Sequence, residues 1–403
     1  MKRLVFIILL FIFVLNMQRP VHAMNVAGES AILVDVKTGD ILYEKNPDLS
    51  MYPASITKIM TVILAIENGD LEDIVTVSRN ASTQDGTRIY IEEGENVWLK
   101  DLIYGTLLNS GNDAAVAIAE HVGGSVDNFV KMMNEKAQEL GMKNTHFVNP
   151  NGLPNENHVT SARDMSLLAL YAMKNPIFRE IAGSKTYEPQ WIGNNVHAMI
   201  QNHNRLLWEY PYATGMKTGY TVISRSTIVA SAKKDGRELV AVVLKSDPRA
   251  YFQDAMQLLD YGFDNTTLLP MLKMEEKTAT LNGSVIHYIP KEIPYTVMID
   301  GKKPDLTVKT HFNPVKNISL FDRVLVKKGD TIGKLDILNL GVPVKTVDLI
   351  ATNEVDIPFP TVKIASYSIA SFILLLGLPF GLWIRKKQLK RKSERVWWLE
   401  NDY

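Results

Sequence analysis

The sequence predicts an α/β or α+β domain, then a small all-β domain, with an apolar segment near each end of the chain. A strand hairpin at Ser30–Lys45 and a second strand pair after Gly219 enclose several helix patterns. This order of elements predicts a sheet in which the first and last strands pair, with the helices packed against it. Short alternating apolar runs between Gly, Pro and Asp residues predict the all-β domain over residues 264–357.

Both strand pairs of the first domain contain a recognisable turn. Residues Ser30–Lys45 hold two alternating apolar runs around Thr38-Gly39-Asp40, which is the pattern of a β-hairpin. Ser226–Ala232 and Leu239–Leu244 form the second pair, around Lys234-Asp235-Gly236. We therefore expect two hairpins that bracket the helices of this domain.

Helical periodicity occupies the stretch between the hairpins and one segment after them. Ile56–Asn68 is apolar all round and ends near Gly69, as a buried helix would. Asn112 or Asp113 is predicted to cap a later helix, because a short polar side chain accepts hydrogen bonds from free N–H groups. The other predicted helices are Leu99–Leu108, Ala114–Val122, Val126–Leu140, Ser161–Met173 and Ala250–Tyr261.

Both ends of the chain carry membrane-directed patterns. A basic start, an apolar run over Leu4–Leu15 and small residues before Met24 predict a signal peptide at residues 1–23; a buried core helix is the alternative. Ile364–Ile384 has no charge and would be about 31 Å long as a helix, enough to span a bilayer. The basic tail at residues 385–403 predicts a cytoplasmic C-terminus, so the domains are expected outside the cytoplasm on the cell membrane.

Composition argues against several classes of function. The 403 residues include 44 basic and 44 acidic side chains, so the zero net charge gives no electrostatic support for a nucleic-acid partner. The absence of cysteine excludes disulfides and thiolate nucleophiles. The eight histidines form no metal-binding motif, and the sequence predicts neither a metal nor a cofactor.

The first candidate catalytic motif is Ser55-Ile56-Thr57-Lys58, at the start of the predicted buried helix. Residues three apart share a helix face, so the Ser55 hydroxyl and the Lys58 amine can meet. A serine nucleophile needs a base, and a lysine can serve when burial or a nearby cation lowers its pKa. A second Ser-x-x-Lys, at Ser231–Lys234, ends a predicted strand with solvated lysines and is not expected to be a site.

Two further motifs supply polar groups for a cleft. Ser110-Gly111-Asn112, between two predicted helices, offers a hydroxyl for proton relay and an amide for a carbonyl; a plain interhelical turn is the alternative. Lys217-Thr218-Gly219 precedes the second hairpin, where a fixed cation can bind a carboxylate and glycine permits close approach of a substrate. Competing copies at Ser78–Asn80 and Lys37–Gly39 lie in a polar stretch and at a hairpin tip. The ordered set of three motifs behind a secretion signal is less easily accidental than any single motif.

With these motifs the chain resembles the low-molecular-mass penicillin-binding proteins that are serine-type D-alanyl-D-alanine carboxypeptidases. The resemblance extends from about Ser30 to Phe263. It implies a serine β-lactamase/D,D-peptidase-like domain at residues 24–263, with an antiparallel sheet and flanking helices, before the β domain and membrane helix. It also implies peptidoglycan stem peptides as substrates and β-lactam antibiotics as covalent inhibitors. Its family-like stretches are Pro53–Lys58, Ser110–Ala114, His146–Leu153, His158–Met165 and Gly215–Thr221.

The resemblance implies a role for each candidate site residue. Ser55 is expected to be the acylated nucleophile, Lys58 its general base and Ser110 the proton relay towards the leaving D-alanine. The backbone N–H groups of Ser55 and Tyr220 are expected to form an oxyanion hole. The remaining substrate-binding residues are Asn112 for the peptide, Lys217 with Thr218 and Gly219 for the terminal carboxylate, and Arg249, for which a solvated loop arginine is the alternative.

The chain departs from the resembled pattern after Gly219, where Val222–Ser226 stands in place of a small Ala-Gly pair. An arginine there is expected to alter substrate choice or slow turnover. A β-lactamase is the nearest rival, but its glutamate loop is not recognisable between Ser110 and Lys217. A D,D-endopeptidase or weak transpeptidase would differ only in substrate length or acceptor. A non-catalytic wall-binding or assembly protein, the rival from another class, has no need for a nucleophile–base pair.

Overall fold

The structure is a computed structural model that describes residues 24–192, 199–281, 283–313, 324–357 and 383–387. Contacts divide the chain into two compact units. The first comprises the described residues up to Leu269 together with Tyr295–Lys303, and the second comprises Pro270–Pro294 and the described residues from Pro304 onward. Tyr295–Lys303, which the alternating pattern assigned to the β domain, therefore belongs to the first unit.

A five-stranded antiparallel sheet lies at the centre of the first unit. The strands up to its last member are β1 (Ser30–Asp35), β2 (Ile41–Lys45), β3 (Ile74–Thr76), β4 (Asn96–Trp98), β5 (Thr186–Tyr187), β6 (Ile200–Gln201), β7 (Ala213–Thr221), β8 (Arg225–Lys234) and β9 (Arg237–Ser246). The sheet has the order β2-β1-β9-β8-β7, and β1 pairs with β9 from Ser30↔Leu244 to Asp35↔Leu239. The first and last hairpins thus join as predicted, and β7 forms one edge.

The two hairpins close through residues with positive φ. Asp235 and Gly236 join β8 to β9 with φ values of 52° and 80°, as a two-residue type I′ turn requires. In the first hairpin Gly39 has a φ of 76°, and the Asp35 carboxylate accepts hydrogen bonds from the N–H groups of Lys37 and Thr38. The local turn chemistry therefore explains why both hairpins were recognisable in the sequence.

Helices cover both faces of this sheet. They are α1 (Lys58–Asn68), α2 (Arg79–Ser82), α3 (Leu99–Leu107), α4 (Asn112–Gly123), α5 (Val126–Glu139), α6 (Ala162–Ala172), α7 (Pro176–Gly183), α8 (Leu206–Glu209) and α9 (Tyr251–Asn265). The larger apolar core joins one sheet face to α1 and its neighbours, and the smaller core joins the other face to α8 and α9. Helix α1 is buried from Lys58 to Ala65, which accounts for its apolar residues on every side. The predicted domain boundary after residue 263 falls inside α9.

The second unit is built mainly from strands. The separate two-stranded sheet of β10 (Thr266–Pro270) and β13 (Tyr295–Ile299) lies almost wholly in the first unit. The remaining strands are β10 (Thr266–Pro270), β11 (Lys277–Leu281), β12 (Ser284–Pro290), β13 (Tyr295–Ile299), β14 (Leu306–Phe312), β15 (Val324–Val326), β16 (Thr331–Asn339), β17 (Val342–Ala351) and β18 (Val355–Ile357). A five-stranded sheet of order β11-β12-β17-β16-β14 carries its core, which includes Ile286, Ile337 and Leu349.

The predicted membrane-directed segments fall largely on residues that the structure does not describe. The signal peptide at 1–23 lies outside the described residues, as does all of Ile364–Ile384 except its last two positions. Trp383–Lys387 is helical. Within the described ranges, no helix combines the length and the apolar character needed to cross a membrane.

Candidate active site

Ser55 lies in a strained turn directly before helix α1. The segment Ala54–Thr57 forms a 3-10 turn in which Ala54 has a φ of 54°, in the left-handed region that costs a non-glycine residue free energy. The surrounding sheet holds this turn, because the Thr227 hydroxyl of β8 donates a hydrogen bond to the Pro53 carbonyl at 2.9 Å. The Ser55 side chain is half-buried. Such strain, maintained by neighbours, is typical of a functional site.

The Lys58 amine has three oxygen neighbours in a fully buried environment. Its Nζ lies 3.1 Å from Ser55 Oγ, 2.6 Å from Asn112 Oδ1 and 2.6 Å from the backbone carbonyl oxygen of Asn151. The two carbonyl-type oxygens can only accept hydrogen bonds. A neutral amine that donates its two N–H groups to them directs its lone pair at Ser55 Oγ. The arrangement therefore suits a base that takes the Ser55 proton.

Electrostatics favour this neutral form of Lys58. Burial lowers the pKa of Lys58 well below its usual value, the positive charge of Lys217 lowers it further, and the Asp113 carboxylate partly opposes them. Burial also lowers the pKa of Lys217, to about 7. Burial and the nearby Lys217 charge therefore both favour the neutral amine that a general base at Lys58 requires.

Ser110 and Asn112 lie where α3 gives way to α4. Ser110 is 7% exposed and has a φ of 66°, so its backbone is held in the left-handed region. The Asn112 amide joins two parts of the site: Oδ1 accepts from Lys58, and Nδ2 donates to the Asp85 carbonyl at 2.6 Å. This second bond fixes which end of the amide faces Lys58.

Helix α4 begins differently from the prediction. Gly111 is its N-cap and contributes no side-chain hydrogen bond, so the expected cap from Asn112 or Asp113 is wrong. The Asp113 carboxylate instead accepts backbone N–H groups of Ile89, Tyr90 and Ile91 at 3.0, 2.7 and 3.3 Å. Burial raises the pKa of Asp113, and these N–H donors oppose the rise. The same carboxylate also accepts the N–H of Ala114 at 2.9 Å, so it serves the first turn of α4 while it ties residues 89–91 to the site.

The third motif lies on the edge strand β7. Lys217 and Gly219 are on its buried side, and Lys217 Nζ donates to the Thr218 carbonyl at 3.1 Å. Tyr220, the next residue, is 60% exposed. The edge position leaves one side of β7 without a neighbouring strand of this sheet, as binding of an extended peptide requires.

Gly219 brings the β7 backbone against the nucleophile turn. A Cβ atom at Gly219 would lie 2.7 Å from the Ser55 backbone nitrogen and 2.6 Å from Thr227 Oγ1. Gly152, with a φ of 83°, approaches the same turn, where a Cβ would lie 2.0 Å from the Ala54 carbonyl oxygen. Two glycines therefore let the backbone pack on both sides of this turn. This close packing is compatible with an oxyanion hole formed by the N–H groups of Ser55 and Tyr220. The oxyanion hole itself stays a prediction.

The structure does not bring every predicted residue together. Arg249 is exposed in the loop after β9. Its backbone N–H donates a hydrogen bond to the Asp247 carboxylate at 2.8 Å. Its carboxylate-binding role therefore stays a prediction. Arg225, from the departing segment, also points to Asp247, at 3.4 Å, with both side chains about half exposed.

Two residues near the base received no role from the sequence. The Asn151 carbonyl contacts Lys58, and buried His158 lies 2.9 Å from Thr57 Oγ1 through Nε2. Because His158 Nδ1 accepts the Val148 N–H at 3.0 Å, Nε2 carries the proton and donates to Thr57. Burial lowers the pKa of His158 to about 4, so the ring is neutral. Both lie in stretches that resembled the family, but no pattern showed what they touch.

The family of D-alanyl-D-alanine carboxypeptidases, peptidase S11, matches residues 17–248 of the chain. The chain belongs to this family. The carboxypeptidase DacF of Bacillus subtilis is 39% identical over 259 residues, which is 62% of this chain and 66% of the relative, just under two thirds. DacD of Escherichia coli is 33% identical over 326 residues, 73% of this chain and 82% of that protein. The resemblance stated from the motifs is confirmed.

Solved structures place the fold in the same family. Penicillin-binding protein 5 from Haemophilus influenzae has a TM-score of 0.65 at 28% identity, covering 82% of this chain and 98% of that chain. A mutant of the Streptomyces K15 DD-transpeptidase has a TM-score of 0.57 at 30% identity, covering 59% and 98%. This D-alanyl-D-alanine carboxypeptidase family member therefore has the predicted D,D-peptidase-like fold with a central sheet and flanking helices.

Proposed function

We propose that this protein is a serine-type D-alanyl-D-alanine carboxypeptidase that removes the terminal D-alanine from peptidoglycan stem peptides. One observation carries the proposal: Ser55 Oγ lies 3.1 Å from the Nζ of buried Lys58, whose donors face Asn112 and Asn151. A buried amine with its lone pair towards a serine hydroxyl serves acyl transfer and has no use in passive binding. Family membership and the names of the relatives support the same reaction.

Acylation begins at the carbonyl carbon of the penultimate D-alanine. Ser55 Oγ attacks this carbon while its proton passes to Lys58 Nζ. The carbonyl oxygen becomes an oxyanion between the N–H groups of Ser55 and Tyr220, and each such donor contributes roughly 10²–10³ in rate. Because these N–H groups belong to packed backbone, they need no reorganisation when the charge appears.

Collapse of the tetrahedral intermediate breaks the C–N bond to the terminal D-alanine. The bonding electrons go to the nitrogen, which takes the proton from Lys58 through the Ser110 hydroxyl. Lys217, while protonated, holds the leaving carboxylate, with Thr218 beside it. D-alanine departs and leaves the shortened peptide as an ester of Ser55.

Water completes the cycle. Its oxygen attacks the ester carbonyl, its proton goes to Lys58, and Ser55 Oγ leaves and regains a proton. A β-lactam acylates the same Ser55 oxygen, but its leaving nitrogen stays tethered to the acyl group. The tethered group hinders the approach of water, and this is why we expect penicillins to inhibit.

The proposed location of the enzyme is the outer face of the cell membrane. The signal pattern at residues 1–23, the apolar span Ile364–Ile384 and the basic tail 385–403 support this placement. The second unit carries no recognised catalytic motif and is proposed as a stalk or partner-binding module. Protease added to spheroplasts should degrade the domains of the full chain while a short epitope on the tail survives; complete protection would contradict the topology.

Mass spectrometry of a stem pentapeptide incubated with the full chain in detergent tests the reaction. We expect the loss of one alanine, and the Ser55→Ala variant should abolish both this loss and labelling by fluorescent penicillin. Ser231→Ala is the matched control, because Ser231 belongs to the other Ser-x-x-Lys and lies on β8 bonded to Thr214. A wild type that neither shortens the peptide nor labels would support the wall-binding alternative.

A D,D-transpeptidase is the second candidate, because the chain is also similar to the Streptomyces K15 DD-transpeptidase. Adding a D-amino acid acceptor to the same incubation distinguishes the two activities. Exchange of the terminal residue in preference to hydrolysis would favour the transpeptidase. Rapid release of hydrolysed penicillin would favour a β-lactamase instead.

A further inference from the structure

A buried imidazole links the nucleophile turn to the segment that supplies a carbonyl oxygen to Lys58. His158 is 1% exposed, and its ring meets Phe147 edge-on with the ring centroids 5.7 Å apart. Its Nε2–H donates to Thr57 Oγ1 at 2.9 Å, and its Nδ1 accepts the Val148 N–H at 3.0 Å. Both ring nitrogens are therefore engaged, although the proposed reaction gives this residue no part.

Thr57, the acceptor of the first bond, lies between the two reacting side chains. It follows Ser55 by two residues and directly precedes Lys58, and its side chain is buried. Helix α1 begins at the next residue, so Thr57 is where the 3-10 turn passes into the helix. A hydrogen bond to Thr57 therefore acts on the turn that carries both the nucleophile and the base.

The second bond of the imidazole holds the start of a segment that follows the beginning of α1. We call residues 148–152 the carbonyl segment. The Pro150 carbonyl accepts a hydrogen bond from the Thr61 hydroxyl at 2.5 Å, and the Asn151 carbonyl accepts from Lys58 at 2.6 Å. The carbonyl oxygens of this segment thus lie along the first turn of α1.

The backbone around His158 is itself held in place. The next residue, Val159, exchanges two backbone hydrogen bonds with His146, at 2.9 and 3.0 Å. Thr160 exchanges two with Met51, at 2.7 and 2.8 Å. The imidazole is therefore a spacer of fixed length on a fixed support, between the nucleophile turn and the carbonyl segment.

The direction of the Lys58 lone pair depends on this spacing. The two acceptors of the amine, Asn112 Oδ1 and the Asn151 carbonyl, direct the lone pair towards Ser55 Oγ. The Asn112 amide is fixed by a second bond of its own, whereas the Asn151 carbonyl belongs to the segment whose start His158 holds. A displacement of about 1 Å at reacting groups can cost 10²-fold in rate.

We propose that His158 is a positioning residue for the general base. It holds the Asn151 carbonyl against Lys58 Nζ and thereby keeps the amine lone pair directed at Ser55 Oγ. His158 acts through Lys58 and takes no proton in the reaction. The inference rests on the proposed carboxypeptidase function and adds to it a residue outside the three motifs.

Two variants of His158 separate its two hydrogen bonds. The amide oxygen of asparagine reaches the place of Nδ1, so His158→Asn retains the acceptor for Val148 and loses the donor to Thr57. The amide nitrogen of glutamine reaches the place of Nε2, so His158→Gln retains the donor and loses the acceptor. Thr57→Val removes the hydroxyl and keeps the branched shape of the side chain. Each variant breaks one link, and we expect each to slow acylation about tenfold.

The assay follows fluorescent penicillin on the full chain in detergent. The second-order rate constant of labelling reports acylation, and the first-order loss of the label reports deacylation. Both are properties of the molecules that label, so a smaller folded fraction lowers the amount of label without changing either constant. Both constants should fall about tenfold in each variant, because Lys58 is the base in both steps.

Combining His158→Asn with Thr57→Val tests whether the two residues act through one bond. The double variant should be about as slow as either single variant, since each substitution alone already breaks that bond. His146→Gln is the matched control, because His146 is exposed and its Nδ1 lies 2.9 Å from the Asn157 carbonyl oxygen. The rate constants of this control should stay within about twofold of wild type.

Three results would overturn the positioning role. One is rate constants within about threefold of wild type in all the single variants, even if less protein labels. Another is a double variant about 10²-fold slower than wild type, which would make the two effects independent. The third is slower acylation with unchanged deacylation, which would assign His158 to the nucleophile rather than to the base. A wild type that neither labels nor shortens the stem peptide would instead overturn the proposed reaction, and the inference with it.

Discussion

Substitution of Gly219 by alanine offers a sharp test of how the β7 backbone serves the nucleophile. The added Cβ would lie 2.7 Å from the Ser55 backbone nitrogen and 2.6 Å from Thr227 Oγ1. Ordinary contact begins near 3.4 Å, so β7 and the nucleophile turn must separate by about 0.7 Å. A misplacement of about 1 Å at reacting groups can cost 10²-fold, as can the loss of one oxyanion donor. We therefore expect acylation about 10²-fold slower.

The assay is the second-order rate of fluorescent penicillin labelling, with thermal unfolding measured on the same samples. Gly183→Ala is the matched control, because its added Cβ would meet only the Thr214 carbonyl oxygen, at 3.1 Å. This control should label at close to the wild-type rate. If a folded Gly219→Ala variant labelled within about threefold of wild type, the proposed dependence of acylation on this close packing would be refuted.

Three further predictions concern charge. Asn112→Asp puts a carboxylate 2.6 Å from Lys58 Nζ, which raises the pKa of Lys58. The rate of penicillin labelling at pH 7 should fall roughly tenfold and should recover as the pH rises. Asn80→Asp, at an exposed position, is the control and should not show this loss. Because the pKa of Lys217 is about 7, this residue loses its charge as the pH rises through that value. The kcat/KM for a peptide with a free C-terminal carboxylate should therefore fall near pH 7. In Lys217→Arg the fall should move to higher pH, because arginine keeps its charge. The pKa of His158 is about 4 in the folded protein against 6.5 when unfolded, so acid favours unfolding. His158 should therefore contribute a loss of about 3 kcal/mol to the free energy of unfolding as pH falls between these values. In urea titrations His158→Gln should lose correspondingly less than wild type over this range.

Local sequence rules predicted many elements of the first unit. The hairpins were recognisable because each turn contains residues that adopt a positive φ, as Asp235 and Gly236 do. The predicted helix Val126–Leu140 appears as Val126–Glu139, because its apolar face repeats at the helical period and Ser125 caps its start. Such features depend on residues that are near one another in the chain.

Local rules did not predict the start of α4. Asn112 and Asp113 are good capping residues, yet Gly111 takes that position. Asn112 bonds Lys58 and Asp85, and Asp113 bonds the loop at residues 89–91, since the Asn112 and Asp113 side chains are themselves buried and need partners. A capping preference of about 1 kcal/mol is smaller than the cost of leaving such buried groups unpaired.

By itself the sequence determined the family, the order of the three motifs and the residue types of the candidate site. Only the tertiary structure decided that the Asn151 carbonyl completes the surroundings of Lys58, and that Gly219 lies against the Ser55 nitrogen. The physical reason is that motif chemistry resides in short spans of chain. The burial that lowers a lysine pKa, and the direction of its lone pair, depend on atoms that are close only after folding.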